Sequence, residues 1–126
     1  MSYLVAIEED HVYVKYSGLV DGLDIVRITA DDYFINNLRR LQKVIHDFSF
    51  CDEVSLGFED MQEIALMSNM ESNFTEKAIG VMIPRTAESY ARIVGLGQAI
   101  KSPDWTILIA HNYADALTKI WVIALR

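Results

Sequence analysis

The stretch QKVIHDFSFCDEVSLGFEDMQEIALM, residues 42–67, changes its periodicity twice, and that change decides the fold class. Gln42–Phe48 (QKVIHDF) is a short run centred on Val44 and Ile45, as expected of a strand buried on both faces. Residues 50–57 break the apolar pattern and read as a loop. From 58 to 70 the apolar residues recur at helical spacing, through Phe58, Met61, Ile64, Ala65 and Met67. Strand, loop and helix in that order form half of a β-α-β unit.

The flanking sequence repeats the theme. Upstream, residues 3–8 (YLVAIE) and 11–17 (HVYVKYS) are β-rich runs separated by Glu9 and Asp10. In the second run Val12, Val14 and Tyr16 alternate with Tyr13 and Lys15, which predicts an opening hairpin ended by Gly18. A helix is expected from an Asp21 cap through Leu23, Val26, Ala30, Tyr33 and Phe34, stopping at Asn36-Asn37. Downstream, KAIGVMI (77–83) is a nearly continuous apolar strand closed by Pro84. A third helix starts at Thr86 or Glu88 and weakens at Gly95 and Gly97. WTILIA (105–110) is the last strand, and Asn112 caps a final helix over 114–125. The predicted order is ββαβαβαβα: an α/β fold with a five-stranded, mostly parallel sheet, an opening hairpin and four helices, joined by right-handed connections. Residues 1–126 read as one domain, with no internal repeat and no linker.

Composition narrows the function. Apolar residues are 52% of the chain, enough for a core without staples. The net charge is −7, and it is uneven. Residues 1–63 carry 13 acidic and 5 basic side chains, a net −8; residues 64–126 carry 6 basic and 5 acidic, a net +1. Such a balance argues against nucleic acid as a partner, since phosphates need a basic face. A single cysteine, Cys51, rules out an internal disulfide and a multi-cysteine metal site. The opening MSYLVAIEEDH has no basic start, and no apolar run approaches the ~20 residues of a membrane span. The expectation is a cytoplasmic protein with no membrane span.

Chemistry-bearing residues gather near predicted strand ends: His46, Asp47, Ser49, Cys51, Ser55, Arg85, His111 and Asn112. Cys51 or Ser55 could pair with His46 or His111, but no nucleophile-elbow motif or activated-thiol signature accompanies them. Cys51 reads as a small buried thiol and the histidines as strand-end imidazoles. His46 and Asp47 are neighbours on a strand and point to opposite faces, so they do not share an ion. Asp52, Glu53, Glu59 and Asp60 lack the spacing of a calcium loop. Gly95-Leu96-Gly97 ends a helix and follows no strand, so it is no phosphate cradle. No enzyme, cofactor or metal site is expected.

Three pieces carry a family resemblance. HDFSFCDEVSLGFEDMQEIALM (46–67) resembles a strand ending in Asp-hydrophobic-Ser/Thr, a loop, and a helix opening on Glu-Asp-hydrophobic; here these are Asp47-Phe48-Ser49 and Glu59-Asp60-Met61. AIGVMIP (78–84) resembles a strand closed by proline, and HNYADALTKIW (111–121) a closing loop and helix. Together they are similar to an uncharacterised bacterial branch of the SpoIIAA-like proteins, the STAS or anti-sigma-factor-antagonist fold. That resemblance implies a non-enzymatic regulatory domain that contacts a protein partner through the acidic loop 47–63, with Asp52, Glu53, Ser55, Glu59 and Asp60 in contact. It also implies a serine phosphoacceptor. The Asp-Ser-Ser-Gly motif is absent, which leaves Ser55 as the hydroxyl of the 52–57 loop. The architecture is similar to CRAL-TRIO lipid-binding domains as well, which implies an alternative: a carrier of a small apolar ligand, held by Met61, Met67, Phe34 and Tyr90.

The final helix suggests association. Leu117, Ile120, Trp121 and Ala124 make one apolar stripe, yet Val122, Ile123 and Leu125 project from other faces. The expectation is a homodimer in which those three meet a second copy.

Overall fold

The computed structural model describes residues 3–21, 24, 27–28, 30–55, 78–86 and 105–124, and their side chains except at 21, 53–55, 78, 105–107 and 122–124. β1 (Tyr3–Ile7) and β2 (Val12–Tyr16) form the expected hairpin, antiparallel with Val5 opposite Val14. The chain then turns at Gly18, whose φ of 69° is a left-handed conformation that costs glycine little. It continues as β3 (Gly18–Asp21). α1 (Asp32–Leu41) precedes β4 (Lys43–Asp47), which is followed by β5 (Cys51–Ser55), β6 (Ala78–Ile83), β7 (Trp105–Ile109) and α2 (Tyr113–Ala124). The main sheet has the order β1-β2-β4-β6-β7, with all its pairings parallel except the opening hairpin.

Two expectations are corrected here. Asp21 ends β3, residues 24 and 27–28 are helical, and a separate helix, α1, is capped by Asp31, its carboxylate accepting the N–H groups of Tyr33 at 3.0 Å and Phe34 at 3.3 Å. Asn36-Asn37 does not stop that helix. Asn37 Nδ2 donates to the Tyr33 carbonyl at 2.8 Å, its Oδ1 accepts from Arg40, and the helix runs on to a left-handed Gln42 at φ 60°. The strand total also exceeds five, because β3 and β5 form a separate two-stranded parallel sheet. Among the described residues, 24 and 27–28 are helical in addition to α1 and α2; the helices expected over 58–70 and from 86 fall outside them.

Strand alternation sorts the core into two clusters, one on each face of the sheet. Val12, Val14, Tyr16, Val44, Phe48 and Met82 share one face, where Phe34 and Leu38 of α1 are buried against them. Ile45, Val81 and Ile83 share the other, beneath Ala116 and Ile120 of α2. Burying Phe34 and Leu38 contributes roughly 1.5–3 kcal/mol each, and it is this stripe, not the polar outer face, that holds α1 down. No described helix is long and apolar enough to cross a membrane.

Candidate functional site

The carboxyl end of β4 organises the richest polar geometry in the described structure. Asp47 is only 2% exposed and has three hydrogen-bond donors. Tyr13 Oη donates at 2.6 Å, the Ser49 N–H at 2.9 Å and Ser49 Oγ at 2.6 Å. Three charge-assisted bonds compensate the burial of a carboxylate, which would be costly alone. They also bend the chain out of β4, with a further turn bond from the Cys51 N–H to the Phe48 carbonyl at 3.1 Å.

That bend presents a surface. Phe50 is 55% exposed, and the Lys15 ammonium sits 4.2 Å from its ring centroid. Cys51 is buried, and Arg85 Nε donates to its carbonyl at 2.8 Å, tying the end of β6 to the start of β5. Gly18 then pairs with Cys51 and Leu19 with Glu53, so Asp52 is the extra residue of a bulge and its side chain is exposed.

The opposite face of β4 is aromatic and quiet. His46 lies within 2.9 Å of Tyr16 Oη, its ring 6.0 Å from that of Phe34, and Phe48 stacks on Tyr16 at 4.3 Å. Burial lowers the His46 pKa to about 4, so the imidazole is neutral near pH 7. Burial, then the nearby Asp47 charge, pushes the Cys51 thiol up to about 11. A raised pKa is the reverse of what activates a thiol. Neither residue is set up as a nucleophile–base pair.

A second network ties the hairpin turn to α2. His11 is buried between Asp10 Oδ1, 2.7 Å from Nδ1, and Tyr113 Oη, 2.9 Å from Nε2. An ionised carboxylate only accepts, so Nδ1 carries the proton and, in the neutral ring, Nε2 accepts from Tyr113. The hydrogen bond from His11 holds the Asp10 carboxyl below its usual pKa. Tyr113 packs edge-on against Tyr13 at 4.9 Å, and burial raises the pKa of both phenols. Beside this network, Glu9, Asp10, Lys43, Ile120 and the exposed Trp121 line an open cleft of about 420 Å³.

The structure places the sequence candidates unevenly. Asp52 is exposed, while Glu53 and Ser55 lie in β5, paired with Leu19 and Asp21. The expected loop over 47–63 is therefore partly a strand, a correction that follows from parallel pairing with β3. Glu59 and Asp60 fall outside the described residues, as do Met61, Met67, Tyr90 and Leu125. Phe34 is fully buried in the core. Val122 and Ile123 lie within α2, their side chains outside the described set. Tyr13, Lys15, Phe50 and Arg85 were not foreseen as parts of one surface. Tyr13 was traceable in principle, because it shares the strand parity of Asp47 on a neighbouring strand.

No protein-family profile matches the sequence, and no curated protein matches it. Solved structures do. The chain is similar to the unphosphorylated form of the anti-sigma factor antagonist SpoIIAA, with a TM-score of 0.57 at 9% identity, covering 94% of this chain and 97% of that one. An anti-sigma factor antagonist from Mycobacterium paratuberculosis gives a TM-score of 0.56 at 15% identity, with 94% and 92% covered. An uncharacterised protein with a SpoIIAA-like fold from Shewanella loihica gives 0.55 at 12%, with 93% and 90% covered. The fold of this chain is SpoIIAA-like.

Proposed function

We propose that this domain is a regulatory protein-interaction module that engages a partner through the acidic segment leaving β4. The observation that carries the reading is the anchored surface itself: Phe50 and Asp52 are exposed on a backbone held by Asp47, Arg85 and pairing with β3. An aromatic anchor on an ordered segment loses little conformational entropy on binding, which favours recognition. The SpoIIAA-like fold, shared with two anti-sigma factor antagonists over nearly the whole chain, supports it by analogy. In this reading Asp52, Glu53 and Ser55 make the contact, with Glu59 and Asp60 alongside. Ser55 is the phosphoacceptor, its modification weakening the complex by added negative charge.

Affinity capture from the source organism tests this, using wild type, Phe50→Ser, Asp52→Lys and Ser55→Asp side by side. A protein retained by wild type and depleted at least tenfold by Phe50→Ser and Asp52→Lys supports the surface. Retention unchanged in both, with circular dichroism spectra intact, refutes it. Of the residues in the carrier reading, Phe34 is buried in the core, and Met61, Met67 and Tyr90 lie outside the described residues.

A further inference from the structure

Among the described residues β1 is an edge strand, and its own sequence lacks the usual protection. Its sequence, Tyr3-Leu4-Val5-Ala6-Ile7, contains no charge and no proline, and its ladder to β2 runs without a register shift. Natural edges are normally blunted by lysine, proline or a bulge, because unpaired backbone groups recruit other strands. Among the described residues nothing pairs with the outer side of β1.

The hairpin fixes which groups face out. The Glu8 N–H donates to the His11 carbonyl at 2.9 Å, so 8 and 11 are a hydrogen-bonded pair. In an antiparallel ladder such pairs alternate, which makes 6 with 13 and 4 with 15 the next ones inward. Tyr3, Val5 and Ile7 therefore turn both their N–H and C=O groups outward.

This pattern is self-complementary about Val5. An antiparallel second copy sets Val5 opposite its own equivalent and Tyr3 opposite the other copy's Ile7. All three residues that offer bonds then meet residues that offer bonds, and six backbone hydrogen bonds follow from the two-per-pair rule. Between them Leu4, 63% exposed, comes opposite Ala6, in the type of pair whose side chains approach most closely. Every cross-strand pair is apolar. For a chain of net charge −7, an uncharged five-residue edge is a place where two copies meet without opposing like charges. We infer that β1 is a homodimerisation edge, joining two copies by a two-fold, antiparallel β1–β1 ladder into one continuous ten-stranded sheet. A ladder this short buries less than the ~1,200 Å² at the low end of specific interfaces. The dimer is accordingly reversible, half formed at concentrations on the order of 100 µM.

The experiment is sedimentation equilibrium from roughly 5 to 500 µM, with amide exchange followed by NMR at both ends of that range. The expected result is a rise from monomer toward dimer mass, with at least fivefold slower exchange at Tyr3, Val5 and Ile7 and no change at Leu4 and Ala6. Leu4→Glu gains a neighbour in Lys15 on β2, so it keeps the fold, and it returns the chain to a monomer throughout. A monomer at every concentration overturns the inference. So does a dimer whose Tyr3, Val5 and Ile7 exchange does not respond to concentration, as a dimer through the C-terminal helix would behave. A dimer unaffected by Leu4→Glu overturns it too. None of these outcomes depends on whether Phe50 and Asp52 bind a partner.

Discussion

His46 couples the stability of this fold to pH. Its ring is buried against Tyr16 and Phe34, and desolvation lowers its pKa to about 4, against 6.5 for the unburied side chain. Between those two values the unfolded chain holds a proton that the folded chain does not, so acidification favours unfolding. The loss begins near pH 6.5 and is complete as pH falls through about 4. That gap corresponds to about 3 kcal/mol, or roughly 10 °C in melting temperature for a domain of this size. Asp10, whose folded pKa is also lowered, adds a loss in the same direction at lower pH, so the His46 share must be isolated by difference. His46→Gln keeps an acceptor for the Tyr16 hydroxyl but does not titrate. Urea unfolding of both proteins at pH 7.0, 6.0, 5.0 and 4.5 measures the difference. Wild type should lose stability relative to the variant as pH falls, by more than 1 kcal/mol at the lowest pH. Parallel pH profiles for the two proteins would show that His46 is not desolvated in the native state.

Three other outcomes follow from the same geometry. Asp47→Ala leaves Tyr13 Oη and the Ser49 N–H without their acceptor, and should cost about 2–3 kcal/mol in urea unfolding. Cys51, buried and with its thiol pushed up to about 11, should react with iodoacetamide at pH 8 at least tenfold more slowly in the folded protein than in denaturant. Gln42→Gly should raise stability by about 0.5–1 kcal/mol, because position 42 is left-handed and glycine takes that conformation without a Cβ penalty; a loss in the melting curve would contradict this.

What was legible in the sequence depended on whether local pattern and tertiary pairing agreed. The hairpin, β4, β6 and β7 all carry apolar periodicity that their final environment rewards, and Asn112 announces α2 with an Oδ1 that accepts the Asp115 N–H at 2.8 Å. β5 carried no such sign, since Cys-Asp-Glu-Val-Ser has little apolar alternation. It is a strand because β3 lies beside it, a contact between residues more than 30 positions apart. The same contact takes Asp21 into β3. The end of α1 was hidden for another reason. Glutamine is an unusual left-handed cap, whereas Asn37, in the Asn pair that looks like a stop, is bonded within the helix. At the candidate site, Asp47 and Asp52 stood out by residue type, but the placing of Phe50 and Arg85 beside them came from turns and crossings that no periodicity encodes.

Parity along β4 separates its two buried polar groups and commits each to structure. His46 faces the aromatic cluster beneath α1, where it is neutral and bonded to Tyr16. Asp47 faces the other way, with its carboxylate occupied by Tyr13 and Ser49. The groups that could have served as acid and base are therefore kept on opposite sides of the strand and each is committed to holding structure. What they hold is the exit from β4. Because Ser49 is fixed by both its N–H and its hydroxyl, and Cys51 by Arg85, the exposed residues between and after them ride on an ordered backbone. Phe50 keeps its ring at the surface with Lys15 against it, and the bulge turns Asp52 to solvent. The buried polar residues thus act at one remove: they order a surface whose exposed members are an aromatic ring and a charge, which is the surface the proposed interaction would use.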